Sequence, residues 1–183
     1  MVKATVMDVK KISAGRNPPS DLHAIIEIPV GGTPVKYELD KDSGAMFVDR
    51  FLHTAMFYPG NYGFIPQTLS SDGDPCDVLV IAPVPVASGA VIRCRPVGAL
   101  LMEDQAGIDE KIIAVPVDGL HPFYVDIGSY RDLPKILLEQ IAHFFAHYKD
   151  LESGKWTRIG QWVDVTASER LIMEGIERAD KRN

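Results

Sequence analysis

From His23 to Asp118 the chain consists of short Val/Ile-rich runs that proline and glycine keep from lengthening. They are HAIIEIPV, VKYELD, AMFVDRFL, CDVLVIAPVPV, AVIRCRPVGALLM and KIIAVPVD. Runs of this length bounded by turn residues form strands, and strands at this spacing build a barrel or a sandwich. Helical periodicity starts only afterwards. Leu137, Ile141, Phe144, Tyr148 and Leu151 form one apolar stripe and predict a helix from about Leu133 to Leu151. Asp132 is its expected N-cap, and Pro134 falls in the first turn, where a missing N–H costs nothing. A second helix is expected from about Ala167 to Asp180, opened by Thr166 and Glu169 as a capping box. No linker or repeat divides the sequence. The expected fold is α+β, a small barrel with two helices packed against it, in a single domain spanning residues 1–183.

Where the fourth run begins, DGDPCD places Asp72, Asp74 and Asp77 in six positions, directly before the apolar stretch Val78 to Ala82. Carboxylates this close raise one another's pKa, and burial raises it further, so the cluster calls for positive charge. Hard oxygen ligands in this density suit Mg²⁺. An EF-hand is excluded, because its fifth and twelfth positions would be Cys76 and Pro83. Taken alone, the stretch is equally compatible with a solvated Asx-rich turn. Asp104 and Asp109 flank a glycine loop in EDQAGIDEK, and strand alternation puts Asp109 and Lys111 on one face. A polar hairpin tip would look the same. Alternation also pairs Lys36 with Glu38 and sets Glu27 between Ile26 and Ile28. A wet strand face explains either pattern.

The complement is basic and phenolic. Arg50 lies in an otherwise apolar strand, where its guanidinium wants an anion: a phosphate, or a carboxylate such as Asp49. Tyr58 and Tyr62 bracket the turn YPGNY, and Tyr148 and Lys149 close the first helix. Each tyrosine taken singly is as readily a core aromatic with a hydrogen-bonded hydroxyl, and the lysine suits a helix C-terminus. His143 and His147 have the i, i+4 spacing of a zinc site, but HFFAH lacks the glutamate of that motif. With Ile136 and Gln140 they form a second side of the helix, which fits a subunit interface.

The net charge of −6 and pI near 5.3 argue against duplex nucleic acid or an anionic membrane as partner. The N-terminal MVKATVMDVKKISAGRNPPSD has no signal-peptide h-region, and the longest apolar stretch, Val78 to Val91, is broken by Pro83, Pro85 and Gly89. Cys76 and Cys94 form neither a disulfide framework nor a metal motif, and are read as buried reduced thiols of a cytoplasmic protein. Among phosphoanhydride hydrolases, a nucleotide-directed enzyme is disfavoured: there is no P-loop, since ESGKWT lacks its first glycine, and no Nudix-like glutamate helix. A nucleic-acid-binding barrel is disfavoured by three acidic groups converging on one cavity.

Together these stretches resemble the soluble inorganic pyrophosphatases of the magnesium-dependent barrel family, bacterial short form. DGDPCD fits the signature D-[SGDN]-D-[PE]-hydrophobic-D. KYELDKDSGAMFVDRFLHTAMFYPGNYGFIP, RCRPVG, DQAGIDEKIIAVP and QIAHFFAHYKDLE match in order, so the likeness runs from about Ala24 to Trp156. The resemblance implies a closed, highly twisted, OB-like barrel and a cytoplasmic hydrolase of phosphate metabolism that splits pyrophosphate into two phosphates with a metal-activated water. It implies Asp72, Asp77, Asp104 and Asp109 as metal ligands, with Glu27 and Glu38 holding metal-bound water or a further ion. Roughly three or four Mg²⁺ ions occupy such a site in the working state. Asp74 matches the general base and Tyr62 a phosphate or base contact. Lys36, Arg50, Tyr58, Lys111, Tyr148 and Lys149 match substrate-binding positions. Gln105 stands where many members carry glutamate. A homohexamer, a dimer of trimers, is implied as the assembly, with neither nucleic acid nor membrane as partner.

Overall fold

The computed structural model describes residues 7–182, so the first six residues of the expected leaderless N-terminus lie outside the described residues. The strands are β1 (Gly15–Asn17), β2 (Asp21–Ile28), β3 (Val35–Leu39), β4 (Met46–Phe51), β5 (Asn61–Phe64), β6 (Asp77–Val80), β7 (Val91–Asp104), β8 (Gly107–Pro116) and β9 (Thr157–Val163). The two α-helices are α1 (Lys135–His147) and α2 (Val165–Arg182). The sheet order β1-β2-β5-β6-β8-β7-β9 is closed by a further pairing of β2 with β7. Five strands, β2, β5, β6, β8 and β7, therefore form a ring, and β1 and β9 are appended to it. The expected α+β barrel with two helices is what the chain forms. All neighbours in the ring are antiparallel except β6 and β8, whose parallel register sets Asp77 beside Lys111. The hairpin β3–β4 is a separate two-stranded sheet.

The central strands are apolar on both faces because both are covered. In β6, Val78 and Val80 join a cluster containing Ile172 of α2, while Leu79 and the following Ile81 join one containing Ile141, Phe144 and Phe145 of α1. Asn61 is wholly buried yet fully employed. Its Oδ1 accepts from the backbone N–H groups of Val30 (3.1 Å) and Val86 (2.7 Å), and its Nδ2 donates to the Val84 carbonyl (3.2 Å). The side chain does the work of backbone pairing where two loops pass the barrel end. Cys76 and Cys94 are buried free thiols, and burial pushes Cys94 up to about 12.

Several local expectations are corrected. Asp132 does not cap α1. Its carboxylate accepts from the backbone of Gly128 and Ser129 and completes a capping box with Ser129 on a single 3₁₀ turn, Tyr130–Asp132. Pro134 then stands at the N-cap of α1 without a side-chain cap. The helix stops at His147, so Leu151 lies past its end and is exposed, outside the stripe. α2 starts earlier than the capping box suggested, because Asp164 supplies the cap: its Oδ1 accepts from Ala167 N–H at 2.9 Å. The second half of YPGNY is strand β5 rather than turn, and β1 and β9 are additional to the expected runs.

The close β2–β5 pairing within the closed ring leaves no room at Gly63 of β5. A Cβ there would lie 1.9 Å from the Ile25 carbonyl oxygen and 2.9 Å from the Ile26 Cα of β2, both backbone atoms. Gly63→Ala is therefore expected to lower unfolding free energy by about 3 kcal/mol or more. Gly119→Ala, where the added carbon meets nothing within 4 Å, should change it by less than about 0.5 kcal/mol. Urea denaturation of both variants checks this, and equal stabilities would overturn the close-packing argument.

Candidate active site

The acidic and basic residues singled out above come from β2, the hairpin, the loop before β6, the β7–β8 hairpin and the end of α1. Most converge on one polar cleft of about 110 Å³, lined by Glu27, Lys36, Glu38, Tyr62, Asp72, Asp74 and Asp77, with Lys41 added from the β3–β4 turn. A larger apolar groove of about 680 Å³ lies elsewhere, between α1 and residues 55–59. It holds none of the candidate aspartates, so the chemistry belongs to the smaller cleft.

Lys111 of β8 is the hub. It is only 3% exposed, and its Nζ lies 2.5 Å from Asp77 Oδ2 and 2.8 Å from Asp109 Oδ1 while donating to the Tyr62 hydroxyl at 3.2 Å. Strand geometry dictates this set. The parallel β6–β8 register brings Asp77 alongside, and alternation within β8 puts Asp109 on the same face. Burial opposes the charged lysine, yet Asp77, Tyr62 and Asp109 outweigh it and hold the ammonium well above its ordinary range. Asp109 is pushed up by burial first and by Asp77 next, with Lys111 acting against both. A second pair joins Lys149 Nζ to Asp104 Oδ2 at 2.7 Å. Burial opposes ionisation of Asp104, but the Lys149 bond and the Ala106 N–H together leave its carboxyl below the usual range. Gln105 donates to the same oxygen, Asp104 Oδ2, at 3.3 Å, which a glutamate there could not do while ionised.

Glu27 is buried rather than on a wet face, and its Oε1 accepts from Leu39 N–H at 2.8 Å, fastening the end of β3 to the barrel. Burial, reinforced by Asp77 and Glu38, pushes its carboxyl up to about 7, against the pull of the Leu39 bond and Lys36. Lys36 and Glu38 share a face as expected, with Lys36 Nζ 3.6 Å from Glu38 and 3.1 Å from Asp49. Arg50 has Asp49 at 3.2 Å, as one reading of the sequence allowed, and also Glu152 at 3.0 Å. Asp72 and Asp74 are exposed at the cleft mouth. Asp74 N–H donates to Asp72 Oδ1 at 3.0 Å, an Asx turn, and Lys41 stands 3.7 Å from Asp74. Tyr58, Tyr62 and Tyr148 are all buried and pack with Phe144 and Phe145 of α1. Burial raises the phenols of Tyr58 and Tyr62, which stay protonated. Arg50, Tyr58, Asp104, Asp109, Lys111, Tyr148 and Lys149 are not among the cleft's lining residues; Asp109 and Lys111 connect to it through Asp77 and Tyr62.

Among the described residues no three acidic, histidine or cysteine side chains stand close enough to share an ion. The reason is visible in the distances: Lys111 lies between Asp77 and Asp109, and Lys149 lies against Asp104. The donor set nevertheless fits hard divalent cations. It is all carboxylate, and Glu27 and Asp109 are raised chiefly by burial, with Asp77 adding to it, so a cation placed beside them would relieve the cost of their ionised form. Lys41 and Glu152 were not foreseen. Lys41 follows directly on VKYELD, and only the fold of the hairpin turns it toward Asp74.

A family model for inorganic pyrophosphatase matches residues 24–180. The inorganic pyrophosphatase of Caulobacter vibrioides is 66% identical over 172 residues, covering 94% of this chain and 97% of that one. The crystal structure of inorganic pyrophosphatase from Thermus thermophilus superposes with a TM-score of 0.90 at 41% identity, covering 95% of this chain and 99% of that one. The structure of an inorganic pyrophosphatase from Coxiella burnetii gives 0.89 at 48% identity, over 91% and 99%.

Glu27 makes the cost of burying the site's carboxylates measurable. A carboxyl raised from 4.5 to about 7 binds its proton more tightly in the native state. The native state is therefore penalised above the unfolded pKa and relieved on acidification. Glu27→Gln keeps an oxygen for Leu39 and removes the charge. Without divalent cations it should stabilise the protein by about 2–3 kcal/mol at pH 8, the gain shrinking as pH falls from 7 to 4.5 and vanishing below that. Denaturation across pH 4–8 tests this; a pH-independent difference would contradict it.

Proposed function

The chain belongs to the inorganic pyrophosphatase family, and from that premise we propose how its residues divide the hydrolysis of pyrophosphate into two phosphates. The supporting observation is the set of interleaved charges in and beside one cleft, with four carboxylates from three separate segments each faced by a lysine. A polyanion hydrolysed between two phosphorus atoms needs neutralisation on both sides of the bridging oxygen.

The enzyme is metal-dependent, and Mg²⁺ is the ion we assign to it. Asp72, Asp77, Asp104 and Asp109 would hold it, with Glu27 and Glu38 as outer carboxylates. When bound, such ions neutralise phosphate oxygens and acidify water. The protein's own groups do the rest. Asp74, exposed at the cleft mouth, accepts a proton at its carboxylate from the attacking water. Lys36 and Arg50 approach the substrate from the hairpin; Lys111, Tyr148 and Lys149 approach from the barrel and α1. Lys111 and Lys149, held by carboxylates here, exchange those partners for phosphate oxygens when substrate fills the site, stabilising charge on the leaving group. Tyr62 already accepts from Lys111, so its hydroxyl proton is free to donate to a phosphate oxygen. Tyr58 packs against the Tyr62 ring from behind the cleft, on the side of the apolar groove, and backs the Tyr62 phenol.

With Mg²⁺ as sole metal, phosphate release from pyrophosphate is expected to exceed release from ATP by at least about 100-fold, a difference of roughly 2.7 kcal/mol in barrier. Asp77→Asn should lose activity by about 100-fold or more while remaining folded, because it removes one of two carboxylates that share Lys111 and the ion. Comparable turnover of ATP, or a near wild-type Asp77→Asn rate at saturating Mg²⁺, would defeat the assignment.

No described helix is long and apolar enough to cross a membrane, and we assign the enzyme to the cytoplasm, as one catalytic domain. We also assign it a homohexameric assembly, a dimer of trimers. The apolar groove supports self-association: it is lined by Phe57, Ile136, Gln140 and His143, with Phe57 and Ile136 about 60% exposed. His147 is less suited to a bare histidine contact than the sequence suggested, since Asp150 lies 2.7 Å from its Nδ1 within the same chain. Ile136→Glu is expected to dissociate the wild-type assembly, read by sedimentation velocity. A wild-type monomer would overturn the assembly, and an intact mutant hexamer would exclude this groove.

A further inference from the structure

Hairpin β3–β4 carries Lys36, Glu38 and Arg50 yet shares no strand pairing with the barrel. Its far end is fastened to the segment just past α1. Thr54 Oγ1 donates to the Tyr148 carbonyl at 3.3 Å, and His53 Nδ1 lies 3.2 Å from the Leu151 carbonyl. The charged contact in this seam is Arg50 with Glu152. Glu152 is 7% exposed, buried in a turn where a solvated acid would be ordinary, and no role assigned above employs it. Its Oε1 is 3.0 Å from Arg50 Nε, and its Oε2 is 2.9 Å from Lys155 Nζ. Burial works against ionisation of Glu152, but Lys155 and Arg50 outweigh it and keep the carboxyl below the usual range.

A guanidinium presents five N–H donors in a rigid fork. Here Glu152 stands at the Nε edge and Asp49 accepts from NH1 at 3.2 Å, so donors remain for an incoming anion. The Arg50 Nε and Glu152 Oε1 atoms are both fully buried and close, yet not aligned as a hydrogen bond. The contact is electrostatic, with room to tighten by a small rotation of the fork. A bare carboxylate behind a phosphate-binding arginine would repel a polyanion; Lys155 cancels that charge on the opposite oxygen. We propose that Glu152 is a positioning residue for pyrophosphate: it fixes the Arg50 fork beside Asp49, the carboxylate that Arg50 shares with the cleft-lining Lys36, and ties the hairpin's phosphate-binding arm to the arm formed by Tyr148 and Lys149. This rests on the pyrophosphatase reading above.

Glu152→Gln preserves shape and removes the charge. With Mg²⁺ present, it is expected to raise KM for pyrophosphate about tenfold while kcat changes less than about twofold. The affinity for methylenediphosphonate, a non-hydrolysable probe read by calorimetry, should fall by the same factor. Glu152→Asp, charged but shorter, should give an intermediate loss. In an Arg50→Lys background Glu152→Gln should cost nothing further, because the group it positions is gone. Unchanged KM and diphosphonate affinity in Glu152→Gln would overturn the proposal. So would an equal loss in the Arg50→Lys background, which would mark Glu152 as merely structural. Absence of phosphate release from pyrophosphate by the wild type would instead strike the underlying reading, and diphosphonate affinity would still decide the role of Glu152.

Discussion

The buried ammonium of Lys111 is the constraint around which the rest is arranged. A lysine with so little exposure survives only with compensating charge, and it has two carboxylates and a phenol within 3.2 Å. Those partners arrive by backbone geometry. The one parallel pairing of the ring brings Asp77, and the pleat of β8 brings Asp109. Removing either carboxylate leaves the lysine under-compensated; removing the lysine leaves two acids facing each other. The same group thus secures the barrel's interior edge and stands between the Asp77 and Asp109 carboxylates.

Charge spacing was legible in the sequence where the spacing is set by a strand. Lys36 with Glu38 and Asp109 with Lys111 follow from alternation alone, and DGDPCD announced its need for a counter-charge. Helix interiors were legible for the same reason of period. The ends were not, because caps are chosen by competition among nearby acceptors. Asp132 was drawn to the Ser129 turn, and Asp164 reached the α2 N-terminus before Thr166. Strand β5 was hidden because it is short and sits in a turn-like stretch, and Gly63 marks a close approach to β2, a strand more than 30 residues earlier, that the sequence alone does not reveal. Glu27 looked like a wet residue between two isoleucines, because the end of the hairpin that covers it lies 12 residues further on. Glu152 had no signal at all: the arginine it faces is about 100 residues away.

The site is built from two bodies of different character. Barrel residues supply the buried, mutually compensated charges. The hairpin supplies Lys36, Glu38 and Arg50 on a sheet of its own, held by the apolar packing of Leu39 against Ile25 and Phe64 and by a few polar contacts: Glu27 to Leu39, Thr54 to Tyr148, and Arg50 to Glu152. Elements with few backbone ties to the core sit at the low end of local stability. Lys36 and Arg50 therefore stand on the less strongly tied of the two bodies, and the ion pairs with Asp49 and Glu152 bear on where they are held.

Ring closure also dictates an order of events during synthesis. Strand β2, made first, must wait for Val91–Cys94 of β7, and Asp77 must wait for Lys111. Until about 110 residues have emerged from the ribosome, Asp77 lacks the ammonium it faces in the closed ring, and β6 has β5 beside it but not β8. Contacts so distant in sequence form late and slowly. The negative charge of Asp72, Asp74 and Asp77 therefore keeps the apolar strand β6 next to a strongly hydrated, self-repelling segment until β8 arrives to close the ring.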